Sequence, residues 1–218
     1  MPYSLEKFQG IFPAALTMFT AKNDMDEDLT AKHWDWLIRQ GVDGLVIGGT
    51  SGEFIAMENK ERIQQFKLAQ EVADGRVPLI FGAGHYSTKL TLELCEAAEQ
   101  YGGDALIVIL PYYQKPSKAA VMRHYQDVRR GTHLPVMLYN NPSNSACPEL
   151  NPREIAQLVE EDVVHMVKST FESVVPIHEL GFLAGPTLDA SIRSACPRRR
   201  SATKPNFGIL ADWSDRFG

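Results

Sequence analysis

Short apolar runs recur along the chain at intervals of roughly 30 residues, the length of a strand–helix–strand unit. They occupy residues 11–17, 44–48, 78–82, 105–110, 135–139 and 163–168. Each is rich in Ile, Val and Leu, as a strand buried on both faces must be. Between them lie stretches with helical spacing. Residues 28–40 place Leu29, His33, Trp36 and Leu37 on one face and stop at Gly41. Ser87 caps a segment carrying Leu90, Leu94, Ala98 and Tyr101, which ends before Gly102 and Gly103. Ser117 caps another with Val121, Tyr125 and Val128, closed by Gly131. Asn151 followed by Pro152 opens a fourth, with Ile155, Leu158 and Val159 as its stripe. These start and stop signals agree with the periodicity. Strict alternation of strand and helix predicts an α/β fold with a parallel sheet and right-handed crossovers.

From residue 181 onward the alternation fades. Pro186, Pro197 and Pro205 interrupt any long helix, and residues 207–210 form the one apolar run that reads as a strand. The pattern divides the chain into residues 1–180, a regular α/β unit, and residues 181–218, an atypical segment expected to be irregular. The tail carries Arg193, Arg198, Arg199, Arg200, Lys204 and Arg216, and is basic where the rest is acidic.

Composition narrows the classes. Hydrophobic residues make up 44% and charged ones 22% of 218 residues, with a net charge of −5. That balance suits one large globular domain and gives no general basic excess for nucleic acid. No apolar stretch is long enough to predict a membrane span, and the first ten residues lack a signal-peptide core. Cys95, Cys147 and Cys196 are too sparse for a disulfide framework, so the expected compartment is the cytoplasm. The histidines lack the spacing of a helical metal site.

In parallel α/β folds, sites form at the carboxyl ends of the strands. After the second run comes Gly48-Gly49-Thr50-Ser51-Gly52-Glu53, a turn whose N–H groups and hydroxyls suit a carboxylate or phosphate. It equally suits a plain strand-to-helix turn, and it is neither a Walker loop nor a dinucleotide fingerprint. After the fourth run stands Pro111-Tyr112-Tyr113, and after the fifth Tyr139-Asn140-Asn141-Pro142. Tyr139 reads either as a proton carrier or as a core tyrosine bonded at the rim. Lys168 closes the sixth run. An amine at the edge of an apolar interior is disfavoured as a cation and becomes a nucleophile for a ketone. The alternative is a lysine whose stem leads its charge out to water.

Together these motifs resemble the dihydrodipicolinate synthase / N-acetylneuraminate lyase family of Schiff-base aldolases, over about residues 11–180. Gly49-Thr50-Ser51-Gly52-Glu53 matches the family's Gly-Thr/Ser-Thr-Gly-Glu, Pro111-Tyr112-Tyr113 its tyrosine loop, and Tyr139-Asn140-Asn141-Pro142 its Tyr-Asn-x-Pro. Lys168 falls at its Schiff-base lysine. The resemblance implies a (β/α)8 TIM barrel, here incomplete or irregular after the sixth strand. It implies lyase or aldolase chemistry on pyruvate or a 2-keto acid with an aldehyde partner. Lys168 would form the imine, and Tyr139 would move protons. Gly49, Thr50 and Ser51 would hold the keto acid's carboxylate. Tyr113 would complete a hydroxyl relay with Thr50 and Tyr139 across a dimer interface. No cofactor or metal is implied, nor a nucleic-acid or membrane partner. A homo-oligomer, dimer or tetramer, is implied where the barrel is intact.

Two departures modify these expectations. Asn144 stands where synthases of dihydrodipicolinate carry an arginine for the aldehyde's carboxylate, and a neutral amide cannot form that pair. As a substrate-binding residue it points away from aspartate semialdehyde and leaves sialic-acid lyase, sugar-acid aldolase and dehydratase activities open. The second is length, since such a barrel takes roughly 250 residues. An inactive truncated relative is therefore the competing expectation, and a phosphate-binding module built on residues 48–52 a weaker third.

Overall fold

The computed structural model describes residues 5–169, 175–184, 191–194 and 209–210. Its strands are β1 Leu45–Ile47, β2 Leu79–Gly82, β3 Ala105–Ile109, β4 Val136–Asn140, β5 Met166–Ser169, β6 Ser191–Ser194 and β7 Ile209–Leu210. All pair in parallel and in chain order. The helices are α1 Glu27–Arg39, α2 Asn59–Ala73, α3 Thr88–Gln100, α4 Lys118–Arg130, the short α5 Pro142–Ser145, α6 Pro152–Glu160 and α7 Val175–Ala184. This is the expected alternation of strand and crossover helix.

The first apolar run differs from a regular strand. It joins β1 through a single parallel bridge, Ala14 with Val46. Three backbone bonds still tie it down: Asp43 N–H to the Ile11 carbonyl, Val46 N–H to Pro13, and Ala15 N–H to Val46. Pro13 has no N–H to offer, so the ladder cannot be continuous. In the tail, β6 and β7 continue the sheet beyond β5, the sixth apolar run, β7 with only two residues, Ile209–Leu210, inside the run expected at 207–210. Helix α7 spans the division drawn at residue 180. Cys196 and the arginines at 198–200 lie outside the described residues.

The core has two layers, set by the two-residue period of the strands. Leu45, Ile47, Leu79, Phe81, Leu106, Val108, Val136, Leu138 and Val167 face the helices. Val46, Ile80, Ala105, Ile107, Ile109, Met137, Tyr139 and Met166 face inward, with Phe8 and Phe12. Lys168 is two residues beyond Met166 and so shares the inner face. Helices are fixed by local chemistry: Asp26 and Ser117 cap α1 and α4, and Asn151 and Glu154 form a reciprocal capping box on α6. Trp34 on α1 is fully buried and donates its indole N–H to the Leu16 carbonyl at 2.8 Å.

Helix α2 was not foreseen by the sequence pattern. It buries Arg62 and Gln65 alongside Phe66 and Ala69, so its inner face reads as polar. Among the described residues no helix is long and apolar enough to cross a membrane.

Candidate active site

The inner-face residues at the carboxyl ends of the strands line one cavity. Val46, Gly48, Gly82, Gly84, Ile107, Ile109, Tyr139 and Lys168 supply its wall, and Ala14, Gly49, Thr50, Phe54 and Arg62 complete it. Tyr139 on β4 and Lys168 on β5 are register partners, which places them side by side. The Lys168 Nζ atom lies 4.3 Å from the centre of the Tyr139 ring. Both are buried, at 6% and 7% exposure, so an amine and a phenol meet in an apolar enclosure.

The turn after β1 closes the cavity from the other side. Gly48 has a left-handed φ of 70°. It packs so closely on the next strand end that a Cβ on Gly82 would lie 2.1 Å from the Gly48 carbonyl oxygen. Thr50–Gly52 forms a single 3-10 turn, with the N–H groups of Gly52 and Glu53 bonded to the carbonyls of Gly49 and Thr50. A buried relay holds this turn: Gln65 donates to Thr17 Oγ1 at 2.6 Å, and Thr17 donates to the Gly52 carbonyl at 2.8 Å.

Arg62 is a participant the sequence reading missed. It is 1% exposed, and its two terminal nitrogens donate to the carbonyls of Gly84 and Gly82 at 3.0 and 2.6 Å. Its Nε has no hydrogen-bond partner among the described residues, and the guanidinium carbon sits 4.9 Å from the Phe54 ring centre. Burial without a carboxylate beside it pushes the guanidinium down to about 10. This cation adds positive potential to the wall of the cavity. Its partners are backbone carbonyls, which no side-chain motif announces.

The other expected residues divide. Thr50, Gly49, Tyr139 and Lys168 line the cavity together. Ser51 lies beside them in the same turn and is half-buried. Tyr113 does not enter it: it is 85% exposed and held at φ 71°, a left-handed conformation unusual for an aromatic residue. Asn144 is exposed on α5 and is absent from the cavity lining. Among the described residues no three acidic, histidine or cysteine side chains gather as a metal site requires.

Residues 7–189 match the model of the dihydrodipicolinate synthetase family. The chain belongs to the dihydrodipicolinate synthetase family. It is 37% identical over 211 residues to the putative 2-dehydro-3-deoxy-D-gluconate aldolase YagE of Escherichia coli, covering 96% of this chain and 64% of that relative. It is 38% identical over 165 residues to the 4-hydroxy-tetrahydrodipicolinate synthase of Maridesulfovibrio salexigens, covering 75% and 56% respectively. The crystal structure of YagE in complex with pyruvate superposes with a TM-score of 0.81 at 34% identity, over 86% of this chain and 63% of that one. The chloride-inhibited synthase of Acinetobacter baumannii, also complexed with pyruvate, gives 0.82 at 29% identity, over 86% and 64%. The fold is thus that of the family's TIM barrels, and this chain spans about three fifths of the length of these relatives.

Proposed function

We propose that this dihydrodipicolinate synthetase family member is a Schiff-base lyase acting on pyruvate or a 2-keto acid. The observation that carries the reading is the Lys168–Tyr139 pair, buried in one cavity with the Gly49–Thr50 turn. The turn and Ser51 hold the substrate carboxylate through N–H and hydroxyl groups, aided by the Arg62 charge. The neutral Lys168 amine adds to the ketone carbon and gives a carbinolamine. Tyr139 gives its proton to the departing hydroxyl, water leaves, and the nitrogen lone pair completes the iminium. The phenolate then takes a proton from the adjacent carbon, which regenerates the phenol and forms the enamine. That carbon attacks an aldehyde while Tyr139 protonates the aldehyde's oxygen, forming the carbon–carbon bond and an iminium. Water adds to the iminium and gives its proton to the Tyr139 phenolate. The carbinolamine then collapses to free the product and the Lys168 amine, and the reverse sequence cleaves the bond.

For the aldehyde we favour a hydroxylated one released from a 2-keto-3-deoxy sugar acid. The aldolases YagE and YjhH of Escherichia coli align with 96% and 98% of this chain, against 75% for the Maridesulfovibrio synthase. Asn144 offers no positive charge for a second carboxylate. Tyr113, exposed and conformationally constrained, fits a role in a partner's site and supports a homodimer. The reaction draws on no cofactor, and the reading implies a cytoplasmic enzyme.

Borohydride added to folded protein with millimolar pyruvate is the test. The expected result is a covalent adduct on the peptide carrying Lys168, lost in Lys168→Ala. Absence of any adduct overturns the reading. Turnover of a 2-keto-3-deoxy sugar acid by cooperatively melting protein rejects the inactive alternative, and exclusive turnover of aspartate semialdehyde rejects the aldehyde assignment.

A further inference from the structure

Asn141 fills the unspecified position of the Tyr-Asn-x-Pro pattern, and its side chain serves two neighbours. Its Oδ1 accepts a hydrogen bond from the Asn144 backbone N–H at 3.4 Å, capping α5. Its Nδ2 donates to the Tyr139 hydroxyl oxygen at 2.7 Å. Asn141 is 2% exposed, and its own carbonyl accepts from Ser145 Oγ at 2.8 Å. The cap decides which end of the amide faces the phenol. Turning the amide over would set two oxygens against each other at Tyr139 unless the phenol proton swung to meet it, and would aim an NH2 group at a backbone N–H.

We propose that Asn141 is a positioning residue for proton transfer: its amide N–H fixes the Tyr139 hydroxyl so that the phenolic proton is delivered into the cavity shared with Lys168. This rests on the Schiff-base reading above. A phenol has one proton, and a donor placed on its oxygen sends that proton in another direction. The same N–H stabilises the phenolate left when Tyr139 protonates the departing hydroxyl. The charged groups sharing the cavity are Lys168 from β5 and Arg62 from α2; β3 contributes only Ile107 and Ile109, and the turn contributes Thr50. No carboxylate lines the cavity among the described residues, so none competes there for the phenolic proton.

Two variants separate this role from a structural one. Asn141→Asp and Asn141→Ser each keep an oxygen for the α5 cap and remove the amide donor. The first readout is the pH dependence of pyruvate–borohydride adduct formation. The second is the titration of Tyr139, followed by 13C NMR of the labelled phenol carbon, with its resonance identified by its loss in Tyr139→Phe. The second needs no turnover. Both variants are expected to slow adduct formation by about tenfold or more at neutral pH. The Tyr139 titration should move upward by about one pH unit, further in Asn141→Asp, where an anion replaces the donor. An unchanged rate, or a slower rate with an unmoved titration, overturns the proposal. If the wild-type protein forms no adduct, the Schiff-base reading and the proton-transfer role both fall, while the titration still reports whether Asn141 governs the phenol. If the wild-type adduct forms and the variants leave the titration in place, only the role of Asn141 falls.

Discussion

Lys168 and Tyr139 are direct register partners of adjacent parallel strands, and the amine nitrogen rests 4.3 Å from the centre of the phenol ring. Backbone pairing alone sets this juxtaposition, so it does not depend on a loop adopting a particular shape. Replacing Tyr139 by Phe keeps the ring and removes the hydroxyl. The predicted outcome is a folded protein whose turnover drops by about 10² to 10⁴, the range for loss of a general acid–base group. Steady-state kinetics beside a thermal melt checks it; turnover within a factor of a few of wild type would remove Tyr139 from the chemistry.

Gly82 tests how tightly the strand ends are fitted. A methyl group there would meet the Gly48 carbonyl at 2.1 Å, a contact with backbone that cannot rotate away. Gly82→Ala should therefore destabilise the protein by at least the roughly 1–3 kcal/mol of an overpacked core, measured by urea denaturation. Because Arg62 bonds the Gly82 carbonyl, the same change should also weaken pyruvate adduct formation.

The Gln65–Thr17–Gly52 relay predicts a split between binding and chemistry. Thr17→Val removes the hydroxyl that links α2 to the turn while nearly preserving shape, and leaves the Gln65 amide unpaired. The expected phenotype is a raised KM for the keto acid, by about threefold to tenfold, with kcat little altered. An unchanged KM would mean that the turn holds its shape without the relay.

Acid sensitivity is built into α4. His124 is 5% exposed, its Nδ1 lies 2.8 Å from Thr88 Oγ1, and its Nε2 has no partner among the described residues. Burial pushes its imidazole down to about 4, against a weak opposing pull from Asp127. The unfolded chain therefore binds the proton more readily than the folded one. Stability from this residue is complete above about pH 6.5 and is lost as pH falls from there to about 4, by about 3 kcal/mol in all. His33, His85 and His165 are also lowered, chiefly by burial, and add to the same trend. Denaturation curves between pH 7 and 4.5 should show a shallower fall for His124→Asn than for wild type. Parallel curves would refute the assignment.

How far the sequence could be read depended on what each segment packs against. Strands β1 to β5 were legible because burial on both faces demands unbroken apolar runs. Lys168 and Tyr139 were legible for the same reason, as polar residues ending such runs. Helix α2 was not, because it turns Arg62 and Gln65 inward, where they donate to backbone carbonyls and to Thr17. The first apolar run, residues 11–17, was overestimated as a strand because the pattern does not register the N–H missing at Pro13. Asn141 was visible as part of a turn, but its bond to Tyr139 depends on which way the amide points, and that is set by a helix cap three residues on.

The strictly sequential order of the sheet has a consequence for how the molecule comes into being. Each strand from β2 to β7 pairs with the strand just before it in the chain, so a chain emerging from its N-terminal end can add one ribbon at a time without waiting for distant segments. The growing edge is always the newest strand. Thr50 and Tyr139 are in place before Lys168 is threaded beside them, so the Lys168 amine is the last of the three to be walled in.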